Sequence, residues 1–280
     1  MVYIDSIKGT TIAFVIFAIV SVSIPGFGEL KDVEIILTVS TFLFAIIAGF
    51  YMSRMNSKYD RIREFVAQED ALWLSLFQQA KLLGRNFSNR IRELIDKYYI
   101  IAYDFSEYND YYKHNAKYYL SVYDEMEKLN TKQKSETPFD KMLETMKDIE
   151  NVRNSTSVFN LENLTRSQWV VLVALSGVVV FSIFYIQTAI IFSKVTTILL
   201  STILVLVILT IRDLQNQRLG GAWLLVESGQ EVLDFIGKLR YYPERFVKDG
   251  RIKVPKYVKK YRIGIHKPGD HNFKFKIVSK

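Results

Sequence analysis

The stretch SQWVVLVALSGVVVFSIFYIQTAIIFS, residues 167–193, runs for 27 residues without a charged side chain. The hydrocarbon core of a bilayer is about 30 Å thick, and a helix needs roughly 20 apolar residues to cross it. Three further charge-free stretches of 20, 19 and 17 residues occupy positions 9–28, 35–53 and 195–211. The sequence therefore predicts an integral membrane protein with four transmembrane helices.

Basic residues flank these four spans unevenly. The loop 29–34 between the first two spans has one Lys and three acidic residues, whereas Arg54 and Lys58 follow the second span and Arg212 follows the fourth. Lys and Arg near the ends of spans accumulate on the cytoplasmic side of a membrane. We therefore expect a multi-pass protein of the cell membrane with both termini and the central segment in the cytoplasm.

The spacing of apolar and breaking residues divides the chain into five predicted segments. After the second span, helical periodicity predicts one long helix or two nearly coaxial helices, with a bend at Gly84. Thr137 and Pro138 indicate the start of a further helix over 138–152, followed by a polar break at 154–160. Thr165 or Ser167 caps the third span. The segments are a transmembrane hairpin at 1–53, a cytoplasmic helical region at 54–166, a second transmembrane hairpin at 167–211, an amphipathic cytoplasmic helix within 212–247 and a basic tail at 248–280.

The basic character of the chain belongs to that tail. Residues 248–280 contain eleven Lys or Arg and two Asp, in a chain whose formal net charge is +8. Residues 251–254, 257–265 and 273–278 favour strands, and a turn sequence at 266–270 separates the last two. The predicted fold class is an all-α integral membrane protein with four transmembrane helices, long cytoplasmic helices and a small basic C-terminal β-hairpin.

The residues that usually carry enzyme chemistry do not form a recognisable pattern. The chain has no cysteine, and its three histidines (His114, His266 and His271) lack the spacing of metal ligands. Two carboxylate pairs, Glu69 with Asp70 and Glu227 with Glu231, are expected on solvated faces of amphipathic helices. The sequence predicts a non-enzyme with no cofactor and no metal site.

The four spans themselves contain no Asp, Glu, Lys, Arg or His. Proton-coupled transporters, pumps and voltage sensors need charged or titratable groups inside the membrane. Passive conduction through hydroxyls, backbone groups and apolar rings needs none, so this composition favours a channel over a transporter.

Residues 35–73 resemble the bestrophins and the bestrophin-like domain family of prokaryotic membrane proteins. The resemblance is carried by FLFAIIAGFY at 42–51, YDRIR at 59–63 and EDAL at 69–72, and by two spans on each side of a long insert. It implies a homo-pentameric channel for small inorganic anions, whose second span lines the pore and forms a neck of three apolar rings. Anchored on Gly49, these rings fall on Phe42, Ile46 and Phe50.

Spacing of four residues keeps Phe42, Ile46 and Phe50 on one helical stripe, but ordinary helix packing or lipid contact produces the same pattern. Thr38, Ser40 and Thr41 could offer hydroxyl groups to a permeating anion, or could bond to their own helix or a neighbouring one.

The basic tail is expected to contact anionic lipid or anions, since each Lys or Arg near anionic headgroups gains about 1 kcal/mol. Nucleic acid is the less favoured partner. The predicted contact residues are Lys253, Lys256, Lys259, Lys260 and Arg262. Two functions follow: an oligomeric anion channel, or a membrane-anchored scaffold without a pore that recruits a partner or anionic lipid through its cytoplasmic helices and tail.

Overall fold

A computed structural model describes residues 4–28, 30–105, 111–217, 221–250 and 252–280, with the side chains of 111 and 221–227 outside this description. Glu227, from the second predicted carboxylate pair, is among those side chains. The helices are α1 (Ser6–Ser23), α2 (Lys31–Leu82), α3 (Arg85–Asp104), α4 (Tyr111–Glu127), α5 (Thr131–Lys134), α6 (Thr137–Leu161), α7 (Arg166–Ile186), α8 (Ile191–Gln215), α9 (Gly221–Phe235) and α10 (Glu244–Lys248). The strands are β1 (Tyr241–Pro243), β2 (Lys260–Gly264) and β3 (Phe275–Ser279).

The chain forms two compact units. Residues 1–59 and 163–219 form one, called here the membrane unit, and residues 60–162 and 220–280 form the other, called the polar unit. Helix α2 contributes its first part to the membrane unit and its last part to the polar unit. Each unit has its own hydrophobic core.

Four helices of the membrane unit, α1, α2, α7 and α8, are long and apolar enough to cross a membrane. The described part of the chain therefore has four candidate membrane-spanning helices, the number that the sequence predicts. The turn between α7 and α8 lies at 187–190, whereas the charge pattern placed it at Lys194. Charge alone could not locate this turn, because its residues are uncharged; Lys194 lies in the first turn of α8.

Gln187 at the end of α7 joins that helix to α1. Its Nε2 donates to the Ser21 carbonyl at 3.0 Å, and its Oε1 accepts from the Ser21 hydroxyl at 2.7 Å. Both side chains are buried. Burial of a side-chain amide among apolar residues is costly unless its donors and acceptors are hydrogen-bonded. The two bonds to Ser21 provide these partners for Gln187.

Helix α1 is held to α8 at its start. The Ser6 N–H donates to Asp213 Oδ2 at 2.9 Å, and Arg212 donates to the Ile4 carbonyl at 2.7 Å. A carboxylate at a helix N-terminus satisfies amide hydrogens that have no partner within the helix.

The chain doubles back after α2. Gly84, whose φ is +126°, separates α2 from α3 and adopts a backbone conformation that other residues avoid. The ring centroids of Trp73 and Tyr98 are 4.7 Å apart, although 25 residues of continuous helix would separate them by about 37 Å. A break at Gly84 was predicted, but the coaxial arrangement was wrong because α3 packs against the end of α2.

Helix α6 continues through the polar segment that was predicted to end it. Its N-cap is Glu136 rather than Thr137, with Pro138 in the first turn, and the helix ends at Leu161. Arg153, Thr156 and Asn160 point into the polar unit and are buried. The Thr156 hydroxyl donates to the Val152 carbonyl at 2.8 Å. The polar residues of this segment are therefore buried and hydrogen-bonded within a continuous helix, and they do not form a break.

The C-terminal region forms a three-stranded sheet in the order β1-β2-β3. Strands β2 and β3 are antiparallel, which confirms the predicted hairpin, and β1 pairs parallel to β2. Strand β1 has three residues and ends in a proline, too short a pattern to be recognised from sequence. Residues 252–254 are not a strand, contrary to expectation.

This sheet is built into the core of the polar unit. Tyr241, Tyr242, Phe246, Ile252 and Tyr261 are buried among side chains of α2, α3, α4, α6 and α9. Arg262 of β2 reaches α3 with two bonds to the Asp96 carboxylate, Nη1 to Oδ2 at 2.9 Å and Nη2 to Oδ1 at 2.5 Å. The basic tail is therefore an integral part of the unit.

Replacing Arg262 with Ala would leave the Asp96 carboxylate buried beside Lys238, whose Nζ is 3.6 Å away. Loss of one partner of a buried pair costs about 3 to 5 kcal/mol, and we expect the low end because Lys238 remains. The melting temperature in detergent should fall by at least about 6 °C. Arg61→Ala, which removes an exposed pair with Glu64, should change it little. Equal melting temperatures for the two variants would contradict a stabilising role of the pair.

Candidate functional site

Helix α2 has a packed face within the membrane unit. Phe44, Ala48 and Met55 are buried against Leu172 of α7 and against α8 residues Ile211 and Leu214. Ser40 lies on the same buried side. The polar and apolar groups of this face therefore serve the contact between helices of one protomer.

The opposite face of α2 carries the predicted neck residues. Phe42, Ile46 and Phe50 are 65%, 54% and 64% exposed. Nothing lies within 4 Å of the position a Cβ would take at Gly49. The three side chains form a continuous apolar stripe that the protomer itself does not cover.

Two of the predicted hydroxyl groups lie beside this stripe. Thr38 is exposed, and its hydroxyl donates to the Glu34 carbonyl of its own helix at 2.8 Å. The Thr38 hydroxyl proton is not available to a ligand while this bond holds. In this structure Thr38 therefore bonds to its own helix, the second of the two alternatives that the sequence left open. Thr41 is exposed on the same side of the helix.

Lys58 anchors α2 where the membrane unit ends. This side chain is buried, and its Nζ donates to Asn163 Oδ1 at 3.0 Å and to the Gln215 carbonyl at 3.4 Å. Gln215 Oε1 in turn accepts from Trp169 Nε1 at 3.3 Å. Sequence reasoning used Lys58 only as a topology signal. Its buried bonds fix α2 against the ends of α7 and α8, which holds the exposed stripe in a defined orientation.

The carboxylate pair Glu69 and Asp70 is not on a solvated face. The two residues are 4% and 8% exposed, which corrects the expectation from amphipathic periodicity. Two tyrosines of α3 cover them: Tyr98 donates to Glu69, and Tyr99 donates to Asp70 Oδ1 at 2.6 Å. Ser228 of α9 donates to Asp70 Oδ2. The pair thus belongs to a hydrogen-bonded cluster between three helices.

Arg153 extends this cluster into α6. Its guanidinium donates to the Tyr98 hydroxyl, to Asn115 Oδ1 at 2.9 Å and to the Tyr112 carbonyl at 2.8 Å. It also lies over the Tyr98 and Tyr119 rings, 5.2 and 5.0 Å from their centroids. Tyr98 and Tyr119 therefore take part in packing between helices within one protomer.

Burial raises the pKa of Asp70 from its usual 3.8 to about 7. The hydrogen bonds from Ser228 and Tyr99 oppose this rise, while the charges of Glu69 and Glu231 add to it. Burial also raises the pKa of Tyr99 well above its usual value, so Tyr99 stays protonated and can donate to Asp70. Asp70 lies beyond the charge-free span that ends at Ser53.

The predicted anion contacts of the tail fall into two groups. Arg262 is buried, and Asp96 and the Leu239 carbonyl occupy its guanidinium inside the polar unit. The other four predicted contacts are exposed: Lys253, Lys256, Lys259 and Lys260. A surface for anionic partners on the tail can therefore use these four lysines.

Comparison with known proteins assigns a family to the chain. A search of curated proteins gave no match. Two crystal structures of a membrane protein share its fold, with 10% and 11% sequence identity and TM-scores of 0.57 and 0.56. They cover 82% and 83% of this chain and 96% and 98% of their own. The model of the Bestrophin-like domain matches residues 12–216, more than half of the 280. The chain therefore belongs to the Bestrophin-like domain family, a channel-like family of membrane proteins.

Proposed function

We propose that the protein is an oligomeric ion channel that conducts small inorganic anions, with its pore lined by the exposed face of α2. One observation carries this proposal: Phe42, Ile46 and Phe50 form an uncovered apolar stripe on a helix whose opposite stripe is packed against α7 and α8. Several copies arranged around one axis would turn each of these residues into a ring.

The neck would control conduction by its affinity for water. Phe42, Ile46 and Phe50 offer no ligand to an ion, and apolar rings of this kind close a pore by dewetting. Neighbouring rings lie four residues apart on the helix, about 6 Å along its axis. A wide neck stays wet and conducts, and a narrow neck empties and closes.

The assembly that creates such rings is a homo-pentamer, as the family resemblance implies. In this assembly both termini and the polar unit face the cytoplasm of a cell with the four spans in its membrane. The exposed lysines of the tail would then raise the local concentration of anions near the cytoplasmic mouth, because clustered charge attracts counter-ions.

Alanine at all three neck positions is expected to widen and wet the constriction. Planar-bilayer recording of the F42A/I46A/F50A variant should show larger or more frequent openings than the unsubstituted protein. The matched control is Phe181→Ala, an aromatic residue on α7 that is 67% exposed, which should leave the currents unchanged.

Silence of both the unsubstituted protein and the triple variant would contradict the channel. The mass of the purified protein in detergent gives independent information. A monomer or a dimer cannot place five copies of α2 around one axis, so either result would also contradict the proposed pore.

A second function is favoured by the tail lysines. Four exposed lysines lie close together in the sequence around Tyr257, whose side chain is 69% exposed. This surface would bind anionic lipid headgroups and make the polar unit a membrane-anchored scaffold. Lipid binding is compatible with a pore but does not need one.

A fluorophore attached through Ser279→Cys can report lipid contact, because the chain has no other cysteine. In proteoliposomes that contain phosphatidylserine, its emission should shift to the blue relative to pure phosphatidylcholine, and added salt should reverse the shift. Glutamine at Lys253, Lys256, Lys259 and Lys260 should abolish the shift. Glutamine at the four exposed lysines 128, 132, 134 and 141 removes the same charge and should leave it. An equal loss in both variants would contradict a specific lipid surface.

A further inference from the structure

We propose that the contact of Asp70 with Ser228 and Tyr99 is a proton-operated latch that fastens α9 to α2 and α3 within the polar unit. The latch is closed when Asp70 carries a proton and loosens when Asp70 is ionised. The device concerns residues 69–103 and 228–231, and its existence does not depend on whether the protein conducts ions.

The geometry of the latch joins one side chain from each of three helices. Asp70 of α2 accepts from Tyr99 of α3 at 2.6 Å on one carboxylate oxygen and from Ser228 of α9 on the other. A protonated Asp70 keeps both contacts, because the serine hydroxyl can accept the acid proton while Tyr99 still donates. The neutral acid is therefore fully bonded in the closed state.

The packing between α9 and α3 beside the latch is close. A Cβ at Gly229 would lie 2.5 Å from Cε1 of Tyr99, and closer still to the Tyr103 hydroxyl. Helix α9 thus approaches α3 as nearly as a backbone without a side chain permits.

The charged groups around Asp70 also disfavour its ionised form. Glu69 precedes it on α2, and Glu231 lies one turn after Ser228 on α9; both raise its pKa. From α3, Tyr98, Tyr99 and Tyr103 contribute neutral phenols. From α6, Arg153 joins the cluster through Tyr98, the tyrosine that donates to Glu69. The ionised carboxylate is thus disfavoured by the burial of Asp70 and by the charges of two further acids.

The direction of the pH effect follows from linkage. Asp70 holds its proton to about pH 7 in the closed state, against 3.8 for an exposed carboxyl. The proton on Asp70 stabilises the closed state over the opened state fully below about pH 4. This stabilisation is lost as the pH rises towards 7. Between pH 6 and pH 8, the opening equilibrium should increase about tenfold if the opened Asp70 is hydrated.

The consequence for conduction rests on the proposed function. Helix α2 carries both Asp70 and the neck residues. A change in the contacts of Asp70 therefore changes the contacts that hold the helix that lines the pore. We infer that protons regulate the channel through this contact.

Hydrogen–deuterium exchange of residues 228–235 in the full-length protein tests the latch. After correction for the intrinsic pH dependence of exchange, protection of this segment should fall about tenfold between pH 6 and pH 8. Asp70→Asn mimics the protonated acid and cannot ionise, so its protection should be the same at pH 8 as at pH 6. Glu64→Gln, at an exposed carboxylate on the same helix, should behave as the unsubstituted protein does.

Ser228→Ala provides a second variant in case Asp70→Asn folds poorly. The Ser228 hydroxyl joins α9 to Asp70, so its removal should lower the protection of residues 228–235 at pH 6. Protection that does not change with pH, or that changes equally in Asp70→Asn, would overturn the latch.

Bilayer recording at pH 6 and pH 8 then separates the latch from its proposed effect. Currents that depend on pH in the unsubstituted protein, but not in Asp70→Asn, would support regulation through the latch. A silent protein with pH-dependent protection would support the latch and contradict the channel. Currents with the same pH dependence in both proteins would contradict the regulation.

Discussion

Hydrocarbon provides no hydrogen-bond partner, so every backbone group in the four apolar stretches must be satisfied within the chain. This requirement makes each stretch helical and explains where polar side chains appear at the ends. Gln187, just after α7, donates to the Ser21 carbonyl near the end of α1, and Asp213 accepts from the Ser6 N–H where α1 starts. Thr165 caps α7 with a capping box that includes Gln168. The few polar contacts of the membrane unit are therefore concentrated where helices begin and end.

The same helix, α2, meets two different demands along its length. In the membrane unit one of its faces is packed and the other is uncovered and apolar, which leaves that face to lipid or to other copies of the chain. In the polar unit one side of the helix is buried against α3, and the acidic residues Glu69 and Asp70 are covered there. Lys58 lies at the boundary and bonds to residues next to α7 and α8, so the orientation of the uncovered face is fixed by a buried cation.

The sequence predicts the features that depend on local composition. Absence of charge located the four spanning helices, Thr165 was recognised as a cap, and alternating residues located the hairpin of β2 and β3. Features that depend on distant partners were missed. Glu69 and Asp70 have the periodicity of an exposed helical face, and only Tyr98 and Tyr99, 29 residues later, show that this face is covered. The buried polar run of α6 and the pairing of Arg262 with Asp96 were hidden for the same reason.

The pairing of Arg262 with Asp96 also has a consequence for biosynthesis. The two residues are 166 positions apart, and the third and fourth apolar stretches, which form α7 and α8, lie between them in the sequence. A nascent chain therefore exposes the Asp96 carboxylate, and the aromatic surface that later receives Tyr241 and Tyr242, throughout the insertion of α7 and α8. The core of the polar unit can form only after β2 has left the ribosome, so membrane insertion of α7 and α8 precedes its folding. Chaperones that bind incompletely folded proteins can act during this interval.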